Sequence, residues 1–180
     1  MILIINICKE KLHEPEFVKP VEDIVKNAGL ISLTRKYDHL FEEDFAEAEK
    51  IIICGTAVKD FDYLDNIQKF NWLRDCKKPI LGICAGMQLI GEVFGCEVID
   101  KETIGQNEIK KIMVNDLIEA EQFFGYFVNT KTIKLNNNFE VIARGKEIDA
   151  MIKHKSKRIY GCLFHPEVMN SEIIVNFCKL

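Results

Sequence analysis

Cys84 stands in the run Pro79-Ile80-Leu81-Gly82-Ile83-Cys84-Ala85-Gly86-Met87-Gln88, with a glycine two residues to either side. An apolar stretch that enters a G-x-C-x-G turn and leaves as a helix reads as the thiol form of a nucleophile elbow. The glycines make steric sense, because so sharp a strand-to-helix turn leaves no room for Cβ atoms against neighbouring backbone. The cysteine is then expected in a strained conformation at a helix N-terminus, where the partial positive charge of the helix favours thiolate over thiol. The free N–H of Ala85 faces the same spot and is a natural donor to an oxyanion. An arbitrary cysteine is more often a small buried hydrophobe. A glycine-flanked one at the end of an apolar strand has little packing reason to be there, which favours a nucleophile.

A thiolate that attacks an acyl carbon needs a proton carrier. The candidate lies far along the chain in Tyr160-Gly161-Cys162-Leu163-Phe164-His165-Pro166-Glu167. Pro166 restricts His165 to extended backbone, and Glu167 can turn back to meet the imidazole, setting its tautomer and stabilising imidazolium. Taken alone, a His-Pro-Glu after a strand is equally well a surface turn. His13 and His39 lie among charged residues and His154 lies within the basic stretch Lys153 to Arg158, so these three are expected to be solvated.

The elements that would hold these groups alternate between apolar runs and helical patterns, the sign of a parallel sheet covered by helices. Strands are predicted at Ile2 to Ile7, Leu30 to Leu33, Lys50 to Cys54 and Pro79 to Ile83. Helices are predicted from Val18 to Ala28, ended by Gly29, from Leu64 to Leu73, and from Ala85 to Phe94, ended by Gly95. The second half changes to shorter strand-like pieces at Cys96 to Ile99, Ile109 to Val114, Phe139 to Ala143, Ala150 to His154 and Arg158 to Phe164. A last helix spans Ser171 to Cys178. The expected fold is one α/β domain over 1–180, with a mainly parallel central sheet flanked by helices and antiparallel hairpins in the C-terminal half.

Composition narrows the function further. A chain of 180 residues that is 48% hydrophobic can bury one substantial core, so one site is sought. A formal charge of -4 argues against a nucleic-acid partner, which wants a concentrated basic face. The seven cysteines are odd in number and lie mostly in apolar runs, as in a reduced, cytoplasmic chain. No C-x-x-C pair or zinc-like histidine spacing occurs, so neither metal nor cofactor is expected. The apolar run at Met1 to Ile7 reads as a strand rather than a signal peptide or membrane span.

With these residues in view, the chain resembles the class I glutamine amidotransferase family, in the branch of stand-alone archaeal-type GMP synthase subunits. Gly82-Ile83-Cys84-Ala85-Gly86-Met87-Gln88 is similar to the family's G-I-C-x-G-x-Q elbow. Phe139-Glu140-Val141-Ile142-Ala143 is similar to a strand of the GMP synthase branch, and Ile159 to Val168 to its Y-G-x-x-F-H-P-E-V segment. The resemblance implies a Cys84, His165, Glu167 triad that takes the side-chain amide of glutamine through a γ-glutamyl thioester. It implies that Gln88 touches this substrate and that the ammonia passes to a partner synthetase, GMP synthase being the nearest branch.

Three departures are visible, one being that Asn6 to Phe17 is more charged than the GMP synthase branch leads one to expect. Where the family has Ser-Gly-Gly-Pro the chain has Cys54-Gly55-Thr56-Ala57, so the second oxyanion N–H would come from Thr56, whose β-branch resists the torsions a glycine accepts. The family's Ser-His pair near the glutamine α-groups corresponds to Val128-Asn129, which makes Asn129 the candidate contact. Two other readings stay open at this point. One is a γ-glutamyl or ThiJ/PfpI-like cysteine hydrolase, and the other is a catalytically silent regulatory relative.

Overall fold

The computed structural model describes residues 1–180. Five strands, β1 (Ile2–Asn6), β2 (Ser32–Lys36), β3 (Lys50–Ile53), β4 (Ile80–Ile83) and β9 (Ile159–Cys162), lie in the order β2-β1-β3-β4-β9, each parallel to its neighbour. Every residue of β1, β3, β4 and β9 is buried, as strands covered on both faces must be. That is why they read as apolar runs, with Asn6 and Lys50 only at the ends of β1 and β3. The helices are short: α1 (Glu14–Phe17), α2 (Lys19–Asn27), α3 (Glu42–Glu47), α4 (Asp62–Asp65), α5 (Ala85–Val93), α6 (Pro166–Met169) and α7 (Ser171–Lys179). A single cluster of 50 buried hydrophobic residues runs from Ile2 to Cys178, so all elements share one core. No helix is long and apolar enough to cross a membrane.

The expectation of a mainly parallel sheet needs correction. The nine-stranded sheet is mixed, because β8 (Asp149–His154), β7 (Phe139–Arg144), β5 (Glu97–Lys111) and β6 (Gln122–Lys134) continue it beyond β9 with every new pairing antiparallel. The predicted strands cover only the ends of β5 and none covers β6, although Phe123-Phe124-Gly125-Tyr126-Phe127-Val128 is an apolar run. The two strands form a long two-stranded ribbon; in β5 exposed and half-buried positions alternate and charges fill many of them, whereas β6 alternates buried and half-buried positions. Met113 and Val114, predicted to extend a strand, lie outside it and are exposed.

The ribbon joins the sheet through only two residue pairs, Lys110 with Arg144 and Lys111 with Ala143. From there it folds back over the C-terminal ends of the parallel strands. The His165 N–H donates to the Tyr126 carbonyl (2.8 Å), which ties β6 to the segment leaving β9.

Local differences have identifiable causes. The second strand starts at Ser32 rather than Leu30, because Gly29 at φ 76° turns the chain out of α2 and the Leu30 N–H closes the helix by bonding the Val25 carbonyl. The helix predicted from Leu64 to Leu73 is broken into α4 and a 3-10 segment, Ile67–Arg74. Between them the Asn66 side chain bonds the Asp62 carbonyl (2.9 Å), a local bond that competes with helix propagation. His154 is buried, not solvated. It sits between Phe94 and Phe139 with ring centroids 4.8 and 5.2 Å away, and burial lowers its pKa. His13 is half-buried, and only His39 is well exposed.

Candidate active site

Cys84 caps the N-terminus of α5 at φ 49° and ψ −104°, and it is the sole non-glycine residue with positive φ. Such a conformation costs about 1–3 kcal/mol and persists only when the surroundings enforce it. Here its N–H is held by the Cys162 carbonyl (2.7 Å), one residue past the end of the β4 pairing with β9. The glycines explain the rest of the turn. A Cβ on Gly82 would lie 2.5 Å from the Gly86 carbonyl oxygen, and one on Gly86 would lie 2.4 Å from that of Ile53. Any side chain at either position would push α5 off the sheet.

His165 follows β9 with extended backbone, and Pro166 opens α6 immediately after it. Within that turn Glu167 Oε1 comes 2.7 Å from His165 Nδ1, and both side chains are almost fully buried. The Phe17 ring packs 5.6 Å from the imidazole. Gly55 leaves room for the ring on another side, since a Cβ there would lie 2.9 Å from His165 Cε1. His165 Nε2 has no other hydrogen-bond partner and is free to serve the neighbouring Cys84 sulfur. Burial works against protonating this imidazole. The charges of Cys84 and Glu167 and their hydrogen bonds outweigh it and hold the His165 pKa well above the usual histidine value.

The structure also places Thr56, Ala85, Gln88 and Asn129 around Cys84, in one narrow pocket of about 10 Å³, room for about one water molecule. Ala85 is the first residue of α5, so its N–H has no intrahelical acceptor, and the Thr56 N–H makes no bond within the chain. Thr56 has ordinary negative φ, and its hydroxyl donates to Asp60 Oδ2 (2.6 Å). Asp60 also accepts from the N–H groups of Lys9 (2.7 Å) and Asp62 (3.2 Å), so it pins the Thr56 loop to the loop after β1. Gln88 is occupied by other residues of the chain: its Oε1 accepts from the Tyr63 hydroxyl and its Nε2 donates to the Lys131 carbonyl (2.8 Å). Asn129 Nδ2 donates to the carbonyls of Lys101 and Lys131.

Sequence reasoning missed Asp60, Phe61, Tyr63 and Lys131 in this lining. Only an acid four residues after Thr56 gave a local signal, and it suggests a turn rather than a site. A wider cavity of about 480 Å³ lies next to the pocket and shares Ala57, Asp60 and Phe61 with it, but does not reach Cys84.

A strained cysteine at a helix N-terminus, a buried imidazole beside it, a carboxylate behind the imidazole and unpaired backbone donors in front form an arrangement suited to acyl transfer through a thioester. The fold and this site define an α/β protein with a cysteine at a strained strand-to-helix elbow and a His–Glu pair beside it. The model of the class-I glutamine amidotransferase family matches residues 16–177, and the chain belongs to that family. Among curated relatives, the glutamine-hydrolysing GMP synthase subunit of Methanococcus aeolicus is 37% identical over 115 residues, 58% of this chain and 61% of that one. Its namesake from Methanococcus maripaludis strain C5 is 39% identical over 148 residues, 77% of each chain. The match to the first of these thus spans about three fifths of its length. A crystal structure described as that of a GMP synthase subunit from Thermoplasma acidophilum superposes with TM-score 0.86 at 20% identity, covering 99% of this chain and 92% of that one. A glutamine amidotransferase from Thermotoga maritima gives 0.74 at 18%, covering 92% and 75%. At these identities the two structures speak for the fold alone.

Proposed function

We propose that the chain hydrolyses the side-chain amide of glutamine and passes the ammonia to a partner synthetase. The observation that carries this reading is the buried line from Glu167 through His165 to Cys84 at the strained elbow. The Cys84 thiolate attacks the amide carbon, and the resulting oxyanion takes the N–H groups of Ala85 and Thr56. His165, held as imidazolium by Glu167, gives its proton to the departing nitrogen. The C–N bond breaks, ammonia leaves and a γ-glutamyl thioester remains. Water then gives a proton to His165 as its oxygen attacks the thioester. The C–S bond breaks, and glutamate and the thiolate are released. Relatives named as glutamine-hydrolysing GMP synthase subunits support a GMP-forming synthetase as the partner. Seven free thiols support a reducing, cytoplasmic setting.

The test is ammonia release in the presence of the synthetase. Cys84→Ala should abolish it while thermal unfolding stays close to wild type, because the small side chain adds little to the core. His165→Ala should be comparably severe and Glu167→Gln milder, since water can partly replace the orienting carboxylate. Retained activity in Cys84→Ala would sink the assignment. Without the synthetase the wild-type chain should release little ammonia, as a closed pocket and a pinned Thr56 loop both require.

A further inference from the structure

The Gln88 side chain, expected to touch the substrate, is already engaged within the chain. Gln88 is only 3% exposed and is bonded at both ends of its amide: Oε1 accepts from the Tyr63 hydroxyl, and Nε2 donates to the Lys131 carbonyl (2.8 Å). The direction of the amide follows from these neighbours. A backbone carbonyl can only accept, so Nε2 must face β6, which leaves Oε1 facing α4 and in need of a donor. Tyr63, in α4 and only 1% exposed, is that donor.

The two bonds join three elements across the pocket. Tyr63 belongs to α4, Gln88 lies one turn of α5 beyond Cys84, and Lys131 belongs to β6. Two further bonds hold β6 over the site, from the His165 N–H to the Tyr126 carbonyl and from the Thr130 hydroxyl to the Val58 carbonyl (3.3 Å). Of the three, only the Gln88 bond comes from the helix that begins at the reacting cysteine. While it holds, the pocket keeps room for about one water molecule.

We propose that Tyr63 is a positioning residue whose hydroxyl fixes the Gln88 amide as a clasp on the Lys131 carbonyl, holding the β5–β6 ribbon shut over Cys84 until the substrate enters. The proposal deepens the glutaminase reading and rests on it for the occupant of the opened pocket. Without the phenol O–H, Oε1 would be buried with no donor, a cost that the amide escapes by turning away and giving up the Lys131 carbonyl. Tyr63 acts through Gln88 and on no reacting atom.

The experiment uses the full chain without substrate and compares wild type, Tyr63→Phe, Gln88→Met and the double variant. Peptide mass follows iodoacetamide alkylation of Cys84, hydrogen exchange follows the β6 amides from Val128 to Lys134, and 15N NMR follows the Gln88 side-chain NH2, assigned by its loss in Gln88→Met. Tyr63→Phe should speed both alkylation and ribbon exchange about 2- to 12-fold, the range for one neutral hydrogen bond. It should also open the Gln88 NH2 protons to exchange with water. Gln88→Met should speed the first two by a similar factor. The double variant should be no faster than Gln88→Met alone, because the phenol works only through the amide. A Tyr63 that served packing alone would leave the Gln88 NH2 signal unmoved, and its effect would multiply with that of Gln88→Met. Either result, or unchanged alkylation in both single variants, would overturn the clasp. Ammonia release with the synthetase tests the glutaminase reading separately, since the clasp can fail with that activity present and the activity can be missing with the clasp in place.

Discussion

His165 concentrates the electrostatics of this protein in one ring. Burial alone would lower its pKa, yet the Cys84 sulfur and the Glu167 carboxylate raise it well above the ordinary value of about 6.5. A folded-state pKa raised above the unfolded one adds stability that is fully present below about pH 6.5 and is lost as pH rises through the folded value. Glu167→Gln removes one cause of the rise. The His165 imidazole resonances should therefore titrate at lower pH in the variant. The stability difference between wild type and variant should shrink as pH rises from neutrality. Histidine NMR titration and urea unfolding at several pH values measure the two effects, and a His165 titration unmoved by Glu167→Gln would refute the coupling. Phe17 and Gly55 contribute differently, by packing: they restrict the ring without altering its charge.

At the scale of elements, the elbow and the Thr56 loop differ in how ready they are. The elbow already holds its unusual torsions, enforced by β9 and by two glycines. The Thr56 loop rests at negative φ, with its hydroxyl bound to Asp60. If the Thr56 N–H must swing toward the thioester carbonyl, the residue enters torsions that cost a β-branched side chain about 1–3 kcal/mol. Thr56→Gly removes that penalty and also releases the loop from Asp60. Basal ammonia release by the chain without its synthetase should rise about 5- to 160-fold, from ~1–3 kcal/mol at 1.36 kcal/mol per decade. Thr56→Ser keeps both the hydroxyl bond and the barrier to positive φ, so it should stay near the wild-type basal rate. Equal basal rates in all three proteins, with normal activity in the presence of the synthetase, would remove the loop from the mechanism.

The whole molecule is a rigid parallel half and a ribbon hinged over it. β1, β3, β4 and β9 are buried along their entire length, whereas the β5–β6 ribbon meets the rest of the sheet at two residue pairs. Between them is a pocket with room for about one water, too small for glutamine. Entry of substrate thus requires the ribbon or the Thr56 loop to move, and within the sheet the ribbon is joined by the fewest strand pairings. Hydrogen exchange should show the ribbon amides of 97–109 and 123–134 opening at lower free energy than those of β1, β3 and β4. Alkylation of Cys84 by a diazoketone analogue of glutamine should slow exchange in the ribbon around Val128 to Lys131. Ribbon amides as protected as the parallel core in the free chain would contradict this hinge.

The sequence by itself determined the parallel half, the elbow and the Glu167–His165 pairing. Each depends on neighbours in the chain: strands buried on both faces must be apolar throughout, the elbow needs its two glycines close at hand, and a Pro at the start of a helix turns a carboxylate back on the preceding imidazole. The ribbon was not legible as a pair, because β5 carries charges like a loop and offers no apolar run for its middle, so nothing local tells that the aromatic run of β6 pairs along its whole length. His154 was misread for a related reason. A basic neighbourhood in the chain says nothing of the two phenylalanine rings that close on it from other elements. Only the tertiary structure decided what surrounds the sulfur. Asp60 comes from the loop after β3, Tyr63 from α4, and Asn129 and Lys131 from a strand paired far from β4, so no spacing along the chain links them to Cys84. Their placement follows from the fold-back of the ribbon, a long-range contact whose partners the local sequence pattern does not encode.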